Sequence, residues 1–232
     1  MHRLSRRTLT VLAALCALPL SLAAQAQTTE PASVEGNTLN LTIPAGYCKL
    51  TRDAEPGRTL YGSQDRMQTG VNLVVLIYGD CKEVAQLKSG KARALPHYGM
   101  YLAPLSAGHV SKLPLTVSRA QALDEIAKSV PAMNPAVLEQ TAGARAKSEG
   151  VAMNKMTSGL LGRDANAVYV GLAANVSGAG AAPNRFHAVT ALTYVKGVGL
   201  SSNLYSPVEP GAPFDKLWAA QKALAAALVK AN

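Results

Sequence analysis

The alternation of apolar and polar residues predicts several strands in the first half of the chain. Residues 39–43 alternate leucine and isoleucine with threonine and asparagine, which is the period of a strand with one buried face, and the turn residues Pro44 and Gly46 follow. Residues 71–78 form a nearly unbroken aliphatic run, typical of a strand covered on both faces. We therefore expect this run to lie centrally in a sheet, with a further extended stretch over residues 95–105.

The last third of the chain shows the most regular alternation. Residues 168–176 alternate, residues 177–183 are turn-forming, and residues 186–195 and 198–205 form two further apolar runs. The connections are too short for crossover helices, so the three strands are predicted to form an antiparallel meander. An amphipathic helix over residues 213–231 is expected to pack on the sheet.

Helix signals concentrate in the middle of the chain. Residues 118–129 are predicted to form a helix capped by Ser118, and residues 134–147 form a second helix that begins with the Asn-Pro pair. A weak helical pattern covers residues 54–68. Residues 150–163 fit either a short helix or a loop, and the pattern does not decide between them.

Strands flanked by helices, with an antiparallel second half, predict an α+β fold in which helices cover an antiparallel sheet. Residues 37–232 fit a single α+β domain, because nothing in them resembles an interdomain linker. Residues 27–36 are rich in Thr, Glu, Pro, Ser and Gly, and they are predicted to form a flexible leader.

A strand that runs into a Pro-x-Gly-aromatic turn opens the predicted domain. It reads Leu39-Asn40-Leu41-Thr42-Ile43 followed by Pro44-Ala45-Gly46-Tyr47. Together with the late meander and the closing helix, this order of elements resembles the PsbP-like fold group, which also contains the DcrB-like envelope proteins. The resemblance implies an α/β/α sandwich and a role in binding or assembly, since members of the group are mostly accessory proteins without a shared catalytic site.

The first 26 residues have the layout of an export signal. A basic start with three arginines precedes an apolar run over residues 9–24, and the small residues Ala24 and Ala26 follow, so cleavage is predicted after Ala26. The apolar run is shorter than the roughly 20 residues of a bilayer span and contains Pro19, so we expect no integral membrane anchor. The pair Arg6 and Arg7 partly matches the twin-arginine pattern, but the general secretory route is favoured.

Export changes the charge and the redox compartment. The chain has 23 Lys and Arg against 14 Asp and Glu, and losing three arginines with the signal leaves 20 against 14, a net charge of +6. The basic residues are scattered without interleaved aromatic residues, so no nucleic acid partner is expected. A solvated basic surface is one interpretation; an anionic envelope component such as phospholipid headgroups is the other.

Only two cysteines, Cys48 and Cys81, remain after the predicted cleavage. In an oxidising compartment they can form one intramolecular disulfide, and closing a loop of about 34 residues stabilises a fold by on the order of 3 to 4 kcal/mol. A redox or metal pair is the alternative. It is disfavoured because there is no Cys-x-x-Cys and no histidine lies near either cysteine.

No catalytic or metal motif is present in the sequence. There is no Gly-x-Ser-x-Gly, and no two histidines have the spacing of metal ligands, so we predict no catalytic residues, no metal and no cofactor. A fold can still assemble a site from distant positions. The residues that a hydrolase could use in this way are Ser201, Ser202, His97 and His187.

Tyrosine dominates the aromatic residues, with eight Tyr against two Phe and one Trp. Four of these tyrosines lie on predicted strands and are candidates for a ligand-binding face: Tyr98, Tyr101, Tyr194 and Tyr205. Stacking and hydroxyl hydrogen bonds would suit a sugar or a peptide. The alternative is that these tyrosines cap a half-exposed sheet face.

These observations lead to three functional hypotheses. The first is a non-enzymatic periplasmic accessory or binding protein of the bacterial envelope, which engages an envelope protein or an anionic envelope component through a sheet face or cleft. The second is an envelope-acting hydrolase that uses the distant Ser and His residues. The third is a binder of anionic lipid or of another small ligand through the basic surface.

Overall fold

The computed structural model describes residues 27–132, 134–178, 181–208 and 214–232. The predicted signal peptide over residues 1–26 lies outside them, as do positions 179–180 of the predicted turn and Pro213 of the predicted final helix. The described elements, in chain order, are β1 (Thr28–Val34), β2 (Asn37–Ile43), β3 (Tyr47–Lys49), α1 (Gly57–Gln68), β4 (Asn72–Asp80), α2 (Cys81–Lys88), β5 (Tyr98–Ser106), β6 (His109–Val110), α3 (Arg119–Ser129), α4 (Pro135–Ser148), β7 (Val151–Arg163), β8 (Val168–Gly178), β9 (Ala181–Val195), β10 (Val198–Pro207) and α5 (Phe214–Lys230).

Antiparallel pairing joins eight of the described strands into one sheet. The strand order is β3-β4-β5-β10-β9-β8-β7, and β6 pairs with β5 at the side of this path. Strands β8, β9 and β10 follow one another in sequence and in the sheet, so the predicted antiparallel meander is confirmed. Strands β1 and β2 form a separate two-stranded hairpin.

Helices cover the sheet on both faces, as the α+β prediction requires. One face, here called the α5 face, packs against α5 and the β1–β2 hairpin, with Leu224 and Leu228 meeting Leu39 and Leu41 in one cluster. On the opposite face, Tyr61 of α1 and the helices α2 and α3 cover the sheet. Helix α4 packs along the edge strand β7. The result is an antiparallel sheet sandwiched between two helical layers.

The predicted helices of the middle region are confirmed, and their caps explain why the sequence located them. The Ser118 hydroxyl accepts the Gln121 N–H while the Gln121 side chain reaches back to Ser118, which makes a capping box at the start of α3. The Asn134 side chain accepts the Ala136 N–H at the start of α4. Among the described residues, no helix has the length and apolar character needed to cross a membrane.

The prediction of a flexible leader over residues 27–36 is wrong. This segment contains β1, which pairs with β2 along its whole length, and the turn between the two strands places Glu35 and Gly36 at positive φ. The Glu35 carboxylate accepts the Val110 N–H at 2.7 Å, and Val34 is completely buried. The composition predicted the wrong structure because backbone hydrogen bonds to β2 hold β1 in place, and these bonds form whether the side chains are polar or apolar.

Two further predictions differ from the structure. Residues 72–78 lie in β4 and most of their side chains from Val74 onward are buried, but Val71 precedes the strand and Leu73 is exposed. Strand β4 is also not central, because only the three-residue strand β3 separates it from the edge of the sheet. Residues 150–163, predicted as a short helix or a loop, contain the 13-residue strand β7. Its alternation is hidden because two register shifts, at Asn154/Thr157 and Leu160/Gly162, change which residues face the core.

Candidate functional site

The four candidate tyrosines do not share one face of the sheet. Tyr98 and Tyr205 pair across β5 and β10, and their rings stack with centroids 4.5 Å apart. Tyr101 points to the α5 face, where it is fully buried and its hydroxyl donates to the Thr42 carbonyl at 2.6 Å. Tyr194 lies opposite Gly199, six residues along β10 from Tyr205. A single tyrosine-lined cleft is therefore not formed by these four residues.

The stacked pair belongs to the core more than to a surface. Tyr98 and Tyr205 pack against the cluster of Met100, Leu102 and Ile77, and burial raises the pKa of the Tyr98 hydroxyl to about 12. Burial also raises the pKa of Tyr205 above its ordinary value. Tyr98 and Tyr101 are three residues apart, and this spacing is the sequence signal that could have separated them. Residues an odd number of positions apart on a regular strand face opposite sides of the sheet.

The candidate serines and histidines are likewise kept apart. Ser202 lies on the α5 face opposite Ala191, whereas His187 lies opposite Ser206, four residues further along. Four residues of a strand span about 13 Å, beyond hydrogen-bond reach. Ser201 lies on the other face, where its hydroxyl accepts the side-chain amide of Asn203 at 3.1 Å.

His97 is engaged by a carboxylate from α2 and not by a serine. Its Nδ1 lies 2.5 Å from Glu83 Oε1, and its backbone N–H donates to Glu83 Oε2 at 2.9 Å. Among the four residues of the hydrolase hypothesis, no serine is hydrogen-bonded to a histidine.

The two cysteines are joined as the sequence predicts. Cys48 lies in β3 and Cys81 is the first residue of α2, and a disulfide links them with their Cα atoms 5.0 Å apart. The Cys81 N–H also donates to the Gly46 carbonyl at 2.9 Å. The bond therefore ties the short edge strand to the start of α2.

A depression of about 340 Å³ lies on the α5 face beyond the first turn of α5. Its floor is made of small residues on β7 and β8: Gly159, Gly171 and Ala173. Leu161 and Phe214 form its walls and pack over Gly171, where a Cβ would lie 2.9 Å from Leu161 Cδ2 and 3.1 Å from Phe214 Cζ. A Cβ on Gly159, in contrast, would meet no heavy atom within 4 Å, because Gly159 faces open space.

Two polar side chains, those of Thr157 and His187, also line the depression. Thr157, Ala173 and His187 are opposed across β7, β8 and β9, and directly opposed residues share a face of the sheet. The His187 ring packs edge-on against Phe214, with centroids 5.2 Å apart. The pKa of His187 is lowered below its ordinary value. Burial is the larger cause, and the positive charge of Arg185 is the smaller one.

The next row of the same face is also polar. Asn154, Asn175 and Arg185 are opposed across the three strands, two residues further along β8 and β9, which is about 7 Å. Neither row contains a carboxylate, and Arg185 forms no ion pair with a described residue. The depression therefore has apolar walls, an imidazole with a lowered pKa at its margin, and beside it a guanidinium with no ion-pair partner among the described residues.

Sequence reasoning identified His187 here, but for a different role, and it missed the rest of the depression. The available signal was the presence of small residues on two neighbouring strands: Gly159 on one, and Gly171 and Ala173, two positions apart, on the other. Small residues leave space on a sheet face. The contact of Phe214 with Gly171 depends on the packing of α5, and the position of Arg185 opposite Asn175 depends on the register of β9.

Four exposed cations lie close together in sequence on and just after α2. Many basic side chains elsewhere pair with acids, as the following pairs show: Lys49–Glu30, Arg52–Asp65, Arg66–Glu149, Lys112–Glu35, Lys128–Glu125 and Arg163–Asp124. The side chains of Lys82, Lys88, Lys91 and Arg93 are exposed and have no such partner in the described part of the chain. We call these four residues the α2 cationic surface. Its two nearby acids are engaged, since Asp80 caps α2 and Glu83 holds His97.

Comparison with known proteins gives a likeness of fold only. No protein-family model and no curated protein matches the chain. Among solved structures, the chain is similar to the solution structure of cyanobacterial PsbP (CyanoP) from Synechocystis sp. PCC 6803, with 12% identical residues and a TM-score of 0.35. The match covers 88% of this chain and 91% of that chain. This is a weak PsbP-like resemblance of an α+β fold, and it indicates nothing about function.

Proposed function

We propose that this protein is an exported, non-enzymatic accessory protein that binds an envelope component in the depression on the α5 face. The observation that carries the proposal is the sheet surface beyond the first turn of α5, which has a floor of small residues and walls of Leu161 and Phe214. A face of this kind accepts another molecule, since most ligand sites are concave and mainly apolar with a few polar groups at the margin.

Two features support the exported location. The N-terminal 26 residues have the basic, apolar and small-residue order of a signal peptide. Cys48 and Cys81 form a disulfide, and structural disulfides persist mainly in oxidising compartments such as the periplasm. Neither feature depends on the binding surface, so location and binding can be tested separately.

Site-specific photocrosslinking in intact cells tests the binding proposal. A photoreactive amino acid at Thr157, on the rim of the depression, is expected to give a discrete adduct. The same amino acid at Leu115, which is fully exposed outside the depression, serves as the control. Gly159→Val should remove the Thr157 adduct, because a Cβ at this position meets no heavy atom within 4 Å and the added side chain takes up space in the depression. Identical adducts at both positions, or an adduct that persists in Gly159→Val, contradict the proposal.

The α2 cationic surface supports a second candidate function, the binding of an anionic lipid surface. Its four cations lack acidic partners within the described residues, and each Lys or Arg near an anionic bilayer contributes about 1 kcal/mol. The test compares vesicles of phosphatidylcholine with and without phosphatidylglycerol. Lys82→Gln, Lys88→Gln and Lys91→Gln together should lower binding to the anionic vesicles on the order of 100-fold at low salt.

A charge-matched control separates a local surface from net charge. Lys216→Gln, Lys222→Gln and Lys230→Gln on α5 remove the same number of positive charges elsewhere. Equal losses in the two triple variants would show that net charge alone attracts the vesicles. Such a result would reject the α2 cationic surface as a docking site.

A further inference from the structure

We infer that the depression takes an amphipathic anion, whose apolar body lies against Phe214 and Leu161 and whose acidic group lies beside Arg185. This rests on the proposed function, because it assigns a ligand class to the same site. The acidic group is identified by its chemistry alone, as a carboxylate, phosphate or sulfonate.

The apolar part of the ligand follows from the shape of the depression. The floor of Gly159, Gly171 and Ala173 has no side chain larger than a methyl group, and the wall residues present a ring and a branched aliphatic chain. The volume of about 340 Å³ is at the lower end of the range for small-molecule sites. It fits one small ring system or a short run of an acyl chain.

The anionic part follows from the charges along the neighbouring row. Arg185 lies beside Asn175, two residues along β9 from His187, and has no carboxylate partner among the described residues. After burial, its positive charge is the second cause of the lowered pKa of His187, a residue that lines the depression. The Val208 N–H donates to the Arg185 carbonyl at 2.8 Å, so the backbone that carries the guanidinium is held in place.

The two halves of the site explain why neither a bare anion nor a neutral apolar molecule is the best ligand. A single exposed guanidinium binds a small anion weakly, because water screens the pair. A neutral molecule would use the apolar walls but would make no use of the positive charge of Arg185. An amphipathic anion satisfies both parts, since burial of its body supplies affinity and its acidic group supplies orientation.

The test uses two fluorescent probes that share one apolar body. 8-Anilinonaphthalene-1-sulfonate carries a sulfonate, and N-phenyl-1-naphthylamine is the same ring system without it. Both are titrated against the protein purified after export. We expect the parent protein to bind the sulfonate more tightly, and Arg185→Gln to weaken it about fivefold while changing the neutral probe less than twofold.

Two variants make failure of the inference distinguishable from failure of the proposed function. Gly159→Val should weaken both probes, because it fills the shared apolar part of the site. Arg58→Gln removes an exposed arginine on α1, outside both proposed binding surfaces, and should leave the binding of both probes unchanged. Gly159→Val could weaken the binding of both probes while Arg185→Gln changes the affinity for both by the same factor. In that case the depression binds ligands, and the inference that it prefers an anion is overturned. If Gly159→Val leaves both unchanged, or the parent binds neither, the depression is not the site.

Near-ultraviolet circular dichroism of each variant guards against binding by a loosened core. The sulfonate probe also binds expanded states with exposed apolar surface, and such states lose their near-ultraviolet signal. A variant with the parent spectrum and reduced probe binding supports the assignment. A binding signal that rises as the spectrum is lost overturns it.

Discussion

Tyr98 and Tyr205 stack nearly parallel across β5 and β10, with ring planes 11° apart. Phe186 lies near the same pair, with its centroid 6.2 Å from that of Tyr205. The contact joins the start of β5 to the end of β10, two strands that are distant in sequence and central in the sheet. It therefore stabilises the central pairing of the fold.

We predict that the stacked pair is energetically coupled. Tyr98→Ala and Tyr205→Ala should each lower the free energy of unfolding by about 2 to 3 kcal/mol, since both rings are half-buried and truncation of a core aromatic costs about 3 to 5 kcal/mol. The double variant should lose less than the sum by about 0.5 to 1.5 kcal/mol. Urea unfolding of the four proteins measures the coupling. Strict additivity would show that stacking contributes nothing beyond burial.

The disulfide is expected to contribute substantially to stability. Replacing both Cys48 and Cys81 with serine should lower the free energy of unfolding by about 3 kcal/mol, because the open chain regains conformational freedom. Urea unfolding with and without reductant measures the effect. The reductant should destabilise the parent and leave the double variant unchanged. A parent whose unfolding midpoint does not respond to reductant would contradict the prediction.

Gly99 is predicted to be required for the packing of Tyr78. A Cβ on Gly99 would lie 2.4 Å from Tyr78 Cζ and Oη, because the ring covers the glycine from the opposed position on β4. Gly99→Ala should therefore cost on the order of 1 to 3 kcal/mol of unfolding free energy. Gly159→Ala is the matched control on a strand whose Cβ meets no atom, and it should be nearly neutral. Equal effects of the two substitutions would mean that the Tyr78 ring yields without cost.

Acid should weaken the contact between α1 and the end of α4. The Arg66 guanidinium lowers the pKa of Glu149 below its ordinary value of 4.5. A carboxylate with a lowered pKa stabilises the folded state above its unfolded pKa, and this contribution is lost as the pH falls through the folded pKa. Urea unfolding between about pH 6 and 3 should show a shallower decline for Glu149→Gln than for the parent. Parallel pH profiles would contradict the role of this pair.

Binding of the sulfonate probe should strengthen as His187 gains a proton. Burial and Arg185 lower the pKa of His187 below its ordinary value of 6.5, so acidification below neutral pH favours the positive imidazolium. Between about pH 7.5 and 5.5, ordinary carboxylates and guanidinium groups hold their charge, so the change belongs to histidine. Titrations across this range should show rising affinity in the parent and none in His187→Gln. The neutral probe should not respond in either protein.

The elements that the sequence located well depend on signals a few residues apart. The Ser118 capping box lies within four residues, and the apolar alternation of β8 to β10 lies within each strand, with connections too short for any other pairing. The disulfide was predictable because only two of the three cysteines, Cys48 and Cys81, lie outside the predicted signal peptide and allow one pairing. These features can be predicted without knowing which distant residues pack against them.

The elements that were missed depend on partners far along the chain. Strand β1 is defined by its pairing with β2, and β7 by its pairing with β8 through two register shifts. Tyr98 and Tyr101 were grouped by residue type, whereas the two-residue period of β5 sends them to opposite faces. A register shift of one residue exchanges the two faces of a strand, and local composition does not record it.

The sequence alone determined the α+β class, the late meander, the capped helices and the pairing of the cysteines, because each follows from short-range periodicity, capping or counting. The tertiary structure alone decided which side chains share a surface. It brings Gly159, Gly171, His187 and Phe214 together from β7, β8, β9 and α5, and it places Arg185 beside them. Such a surface is set by strand register and helix packing over long sequence separations, which no local pattern encodes.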